Sequence, residues 1–581
     1  MNPTQRRRWG LALVAACVVA LMARAGDSPV PPPLHTYVLP AAGTPAAYDE
    51  AVTVSALQGL INRTAPELYL FAPSDPRPAF WLNVFHQTGR WLEGRSLQPV
   101  AGLDALVRLA ADRLKGAVIW DPAVPATVNV ATTAAGVLDL MVVSPDQSAH
   151  LAAWGVPVVL DLRGKFTGAE TGSAKNDAYR WALREFLATG RCSTRWMFLY
   201  HDAFFARAQG HLAYAVNRDW AVRNRAFVFD LSPWADEKPE DDPDQRLGLD
   251  QETYRLILEE NLRQTRGEHM TELAGFFDFQ KYSNVAPHRS RHEPVPTEWQ
   301  TVWMISPYNA YQNTVTSDCY NQSFHSHAPR APLRQHPATP AVPPLENKVY
   351  VSILMADYDS GTPLYDFLPK NWLNHGRGEL PLAWGVNPNL RDTYPDIVEY
   401  FYAAATPIDL FVSDASAAGY MNPNRIKPEY LPLFVRHNQR YFREQDQSIA
   451  AMVLDWDQPT PAVKDAFREF APDGFATIVM DLHDSGGKLP DPQVWKGMPV
   501  LELVNNAGAP DPPALIASHM AEALRQRGPQ KPGFYFFRLV WISPRDAVAA
   551  LDELRKQAPD IDFTVVDLPT LLALFKQAHT P

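Results

Sequence analysis

A rhythm in the second half of the chain constrains its fold most strongly. From Asn347 onward, short apolar runs recur at Val349–Leu354, Leu380–Trp384, Ile408–Val412, Ile449–Leu454, Ala476–Met480, Pro499–Leu503, Phe534–Val540 and Phe563–Val566. Helical spacing fills most of the gaps. Val463, Phe467 and Phe470 share one face, and Ser543-Pro544-Arg545-Asp546 opens a helix with a capping serine, a first-turn proline and an acid. Eight strands alternating with helices predict a (β/α) barrel-like domain over 346–581, with an irregular barrel or one missing a stave allowed.

The first half alternates as well. Val54, Leu57 and Ile61 lie on one side of a helix over Ala51–Ile61, which leads into the apolar run Leu68–Phe71. Further strand-like runs are Ala117–Trp120, Leu140–Val143, Val156–Leu160, Trp196–Tyr200 and Ala226–Phe229. Several are continuously apolar, as strands covered on both faces are. The reading is an open, mostly parallel α/β domain over 47–345. It carries an aromatic-rich insertion, Phe276–Ser326, suited to lining a cleft, and ends in a Pro-rich connection over 328–345. Residues 26–46, rich in Pro and Ala, read as an extended tether.

Arg6, Arg7 and Arg8 followed by the apolar run Leu11–Met22 and Ala23-Arg24-Ala25 have the order of a signal peptide, 1–25, cleaved before Gly26. The expectation is a secreted or periplasmic protein. Lipid anchoring at Cys17 is disfavoured because the apolar run continues beyond it. After cleavage Cys192 and Cys319 remain, too few for a disulfide framework; they pair with each other or lie buried and inert. A formal net charge of −11 with no basic stripe excludes nucleic acid as a partner, and no membrane span is expected once the leader is removed.

The residues that follow the second-half strands carry the chemistry. Asp357 and Asp359 follow the first, Asn387 the second, Asp414 the third, Asp455 the fourth, and Asp481 and His483 the fifth. Glu502 and Asn505 belong to the sixth, Arg538 and Trp541 to the seventh. In a parallel barrel these ends converge on one mouth. Carboxylates, amides and indoles gathered there suit a sugar, whose hydroxyls bond to acids and amides and whose ring stacks on an indole.

Glycoside hydrolysis needs two carboxyl groups on opposite sides of the scissile bond. Asp357 and Asp359 are two apart on one edge, so one of them should pair with an acid from another strand. The candidate catalytic set is Asp357, Asp359, Glu502, Asp414 and Asp455, with Asp357 first and Glu502 its chosen partner. Trp384, Asn387, Tyr420, Asn505, Arg538 and Trp541 are the candidate sugar contacts. No cofactor is expected. A D-x-D pair also suits a divalent cation, which Asp357, Asp359, Asp481 and His483 would hold in an alternative reading as a metal-dependent carbohydrate esterase or deacetylase. A non-catalytic glycan-binding protein is the third reading.

Ser413–Pro423 reads SDASAAGYMNP and resembles the motif of the GxGYxYP putative glycoside hydrolase family. Gly419, Tyr420 and Pro423 fit; Ala417 stands where the first Gly is expected and Asn422 where the second Tyr is. Leu57–Arg63 is similar to that family's first helix end, and Glu298-Trp299 through Ser306–Tyr311 to its central segment. Met355–Ser360 keeps the two aspartates of an S-D-G-D-N type turn, and Trp384–Pro388 also looks familial. The resemblance, spanning nearly the whole mature chain, implies a carbohydrate-directed hydrolase with an N-terminal and a C-terminal family domain. An alanine at 417 either turns to negative φ, rebuilding the loop, or carries strain.

Overall fold

Seven of the eight apolar runs of the second half close into a parallel barrel. The computed structural model describes residues 31–282, 292, 294–335, 342–455, 458–479, 492–526 and 531–580. The staves are β1 (Val349–Ala356), β2 (Leu382–Gly385), β3 (Asp409–Ala415), β4 (Ile449–Asp455), β5 (Gly474–Val479), β6 (Met498–Gly508) and β7 (Gly533–Val540). Each lies beside the next, and β1 pairs with both β7 and β2, which closes the ring. The β1–β2 pairing is confined to Leu354 with Ala383 and Met355 with Trp384. Lower on β1, Val349, Tyr350 and Val351 pair with Phe563–Val565 instead. The eighth run therefore fills the gap where the ring splays.

Side chains alternate between two apolar environments, which explains the continuous apolar runs. On β1, Tyr350, Leu354 and Ala356 join the interior with Ala383, Val412, Leu501, Leu503 and Phe536. Val349, Val351, Ile353 and Met355 face the surrounding helices. The terminal helix Leu568–His579 sends Leu571, Leu572 and Phe575 into the interior cluster. Leu572 touches the start of β5 at Gly474, so this helix plugs the amino end and leaves the carboxyl end as the mouth.

The first half is parallel α/β, but spread over three sheets. Leu34–Val38 lies between Leu68–Phe71 and Leu97–Pro99, and Gly116–Ile119 between Leu140–Val143 and Val158–Asp161. A four-stranded sheet runs in the order Ala310–Asn313, Thr271–Phe276, Trp196–Tyr200, Phe227–Phe229. The segment read as a tether thus contains a central strand: Leu34, Tyr37 and Leu39 are buried apolar residues set among prolines. The Pro-rich connection is likewise no loose linker where it is described. Its Leu333 N–H donates to the Glu444 carbonyl, and the Gln335 side chain pairs with the backbone of Phe411 as a strand would. Cys192 and Cys319 are buried free thiols. No helix among the described residues is long and apolar enough to cross a membrane.

Candidate active site

The barrel mouth gathers Asp357, Asp359, Asp414 and Arg538. Arg538 sits on β7 on the inward side, where it alternates with Phe537 and Leu539, which face the helices. Its Nη2 lies 2.6 and 2.7 Å from the two carboxylate oxygens of Asp357. Burial opposes a charge on Arg538, but the Asp357 and Asp414 carboxylates outweigh that and hold its pKa above the ordinary value. Asp357 itself turns the chain at φ +64°. Its N–H donates to Asp414 Oδ2 at 2.8 Å, and its carbonyl accepts the Trp541 indole N–H at 2.8 Å.

Asp414 is fully buried beneath this turn, one of its oxygens without a partner. Burial, then the charges of Asp357 and Asp359, push its pKa well up. Gly385 makes room for it, since a Cβ there would stand 2.3 Å from Asp414 Oδ2. Asn387 fixes its backbone, accepting the Asp414 N–H at 2.9 Å while its amide donates to the Ala415 carbonyl at 3.0 Å. Asp359 is pushed up to about 7, first by burial and then by Asp357.

A further acid at the mouth comes from the other half of the chain. Glu298 stands on the helix Pro294–Ile305, whose Trp299 and Val302 pack against the barrel-interior cluster. Arg425 beyond β3 stacks its guanidinium 4.0 Å over Trp303 of the same helix. Glu298 thereby faces Asp359, Asp357 and Arg538, and burial, with the two aspartates, pushes its pKa up to about 8 against a bond from Thr314. A half-buried carboxyl raised this far is mostly protonated at neutral pH. Tyr420 completes the group: its hydroxyl is buried without a partner, and burial, then Glu298 and Asp359, raise its pKa.

The SDASAAGYMNP segment holds this site to the first half. Gln312 and Tyr420 exchange two backbone hydrogen bonds, of 2.7 and 3.0 Å, as an isolated antiparallel bridge. The bridge needs a glycine at 419, which adopts φ +112° against the Tyr311 ring; a Cβ there would lie 2.1 Å from Tyr311 Cδ2. Ala417 keeps the left-handed conformation at φ +87° and so carries strain, of about 1–2 kcal/mol, in place of a rebuilt turn. The loop after β1 is docked too: Gly361 N–H donates to Asn313 Oδ1 at 2.9 Å, and Thr362 N–H to the Val315 carbonyl at 2.7 Å.

Of the residues expected from sequence, Asp357, Asp359, Asp414, Tyr420, Arg538 and Trp541 meet at the mouth. Glu502 does not. On β6 it alternates with Leu501 and Leu503, which point inward, and so lies on the outer side of the stave. Trp384 is also outside the ring, wholly buried between β2 and the helices, with its indole N–H on Asp409 Oδ1 at 2.9 Å. It braces the sheet and cannot reach a ligand at the mouth. Asn387 is buried and acts through Asp414. Asp455 ends β4 and Asn505 pairs with Arg538 in the β6–β7 ladder, their side chains lying outside the described residues. Asp481 and His483 also lie outside the described residues. Among the described residues no three His, Cys, Asp or Glu side chains are grouped to hold a metal ion.

Glu298 is the residue that sequence reasoning left without a role. The available signal was compositional: it is the one carboxylate between Pro294 and Ser317, in a stretch dominated by Trp, Tyr, Asn and Thr.

Comparison with known proteins agrees with this architecture. A crystal structure of a "putative hydrolase" from Bacteroides thetaiotaomicron VPI-5482 superposes with a TM-score of 0.69, covering 94% of this chain and 95% of that one. At 18% identity the likeness shows the fold alone. No curated protein shows significant sequence similarity. Three family models match: the GxGYxYP_N 1st domain over residues 41–108, the GxGYxYP_N second domain over 114–190, and the GxGYxYP putative glycoside hydrolase C-terminal domain over 347–576. With most of its length matched in order by these models, the chain belongs to the GxGYxYP family.

Proposed function

We propose that this chain is an exported glycoside hydrolase that cleaves an oligo- or polysaccharide between Glu298 and the Asp357–Asp359 turn. The observation that carries the reading is the meeting of Glu298, raised to about 8, with an aspartate held by an arginine. Two carboxyl groups in such different surroundings divide naturally into proton donor and carboxylate. Glu298 would give its proton to the glycosidic oxygen as the bond to the anomeric carbon breaks. Asp357, ion-paired with Arg538, would serve the positive charge that develops on that carbon, or direct the attacking water. Asp359 and Tyr420 stand close enough to both acids to feel their charge, and the half-exposed Trp541 offers a ring face beside Asp357. The family's designation as a glycoside hydrolase and the order Arg6–Ala25 of a signal peptide support the substrate class and the export.

The test is release of reducing ends from a panel of plant, bacterial and host-type glycans by the mature chain. Asp357→Asn should lower kcat at least about a hundredfold while the melting temperature stays within a few degrees, because the asparagine amide oxygen can still accept from Arg538. Unchanged turnover in that variant would remove Asp357 from the mechanism.

A further inference from the structure

Glu298 has a second face. Besides the barrel acids it borders a cavity of about 190 Å³ lined by His201, Tyr214, Phe276, Phe279 and Thr316, among others. We infer that this cavity is the subsite for the leaving portion of the substrate, sized for one flat-faced ring, an inference that rests on the hydrolase reading above.

Topology places it where a ligand belongs. In the four-stranded sheet the chain passes from Trp196–Tyr200 outward to Phe227–Phe229, then crosses back to Thr271–Phe276 and Ala310–Asn313. The order reverses between Trp196–Tyr200 and Thr271–Phe276. A crevice outside the carboxyl ends of parallel strands at such a reversal is the usual ligand position in open α/β sheets. His201 follows the first of these strands, Phe279 the second and Thr316 the last, so the cavity is that crevice.

Its chemistry fits a ring. His201 and Tyr214 stack with centroids 4.1 Å apart and planes 18° from parallel, forming one rigid plate. Phe276 and Phe279, both half-buried, present further apolar ring surface. Thr316 is 1% exposed and its hydroxyl has no hydrogen-bond partner, an unmade bond that a ligand hydroxyl or ether oxygen would satisfy. The volume falls below the ~300 Å³ at which drug-sized pockets begin, which limits the occupant to a single ring.

The floor is held by charge. Lys281, with no exposed surface, lies 2.8 Å from both Asp202 and Asp230, and the buried Arg218 donates to the His201 carbonyl at 3.0 Å. Such a network fixes the plate before a ligand arrives. With Glu298 between the two spaces, its proton would pass to the bridging oxygen and the anomeric C–O bond would break. The ring that leaves as an alcohol would then occupy the cavity, while water delivers its hydroxyl to the anomeric carbon held in the barrel mouth and its remaining proton restores the Glu298 carboxyl.

Ligand-observed NMR on the full mature chain tests this, with the methyl pyranosides of glucose, galactose, mannose and N-acetylglucosamine and, separately, 4-nitrophenol. At least one probe should bind saturably; a pyranoside points to a glycan leaving group, 4-nitrophenol to an aromatic one. Tyr214→Leu should weaken that probe about three- to tenfold, as loss of one stacked ring does. Thr316→Val, which only removes an unpartnered hydroxyl, should weaken it about two- to tenfold without lowering the melting temperature. No saturable binding by the wild type, or equal binding by Tyr214→Leu and Thr316→Val, would overturn the inference. Because binding is read without turnover, failure of the hydrolase reading appears separately, as an Asp357→Asn chain that loses no cleavage.

Discussion

Single residues at this site are set by what surrounds them, and the clearest case is one outside the mouth. Glu272 is 1% exposed on the strand Thr271–Phe276, with one carboxyl oxygen unpartnered. Burial, and then the nearby Asp392 charge, push its pKa from 4.5 to about 8, against the bond from Asn313. It reaches the site indirectly: Asn313 donates to Glu272 at 3.4 Å and accepts the Gly361 N–H that positions the Asp357–Asp359 loop. A carboxyl raised on folding keeps its proton in the native state after the unfolded chain has lost it. Its effect is therefore absent below about pH 4.5 and grows increasingly destabilising up to about pH 8. Glu272→Gln, which keeps the shape without the titration, should leave the melting temperature nearly unchanged at pH 5 and raise it by about 2 °C or more at pH 8. Calorimetry at the two pH values reads this, and a gain of equal size at both would reject the account.

At the level of elements, the barrel was legible because its rule is local. Seven apolar runs at regular spacing each supplied a stave, and the polar residues after β1 and β3 reached the mouth as expected. Periodicity does not say which side of a stave a residue takes when both sides are apolar, so Glu502 and Trp384 were assigned inward and lie outward. The family motif reads differently once its surroundings are known: Asp414 and Tyr420 serve the site, and Gly419 serves the seam with Ala310–Asn313. Gly419→Ala sets a methyl into the Tyr311 ring at positive φ. It should lower the unfolding free energy by about 3 kcal/mol or more in urea titrations. A loss under 1 kcal/mol would mean that the seam is not closed by this glycine.

For the whole molecule, the two halves build one site. The helix Pro294–Ile305 lays Glu298 over the mouth of a barrel that begins at Val349, and the loop after β1 is bonded back to Asn313 and Val315. Glu298 escapes a reading of strand ends, since it follows no strand and lies in a segment of weak periodicity. The sequence reading has the aromatic stretch lining a cleft and gives Glu298 no part in the site. The most direct test compares Glu298→Gln with the wild type on a natural glycan and on an aryl glycoside whose leaving group departs without protonation. If Glu298 is the proton donor, wild-type activity falls as pH rises through about 8. The variant would lose at least about a hundredfold in kcat on the glycan and the alkaline fall with it, yet retain most of its rate on the aryl substrate. Equal losses on both substrates, or an alkaline limb that persists in Glu298→Gln, would contradict a proton donor supplied by the first half of the chain.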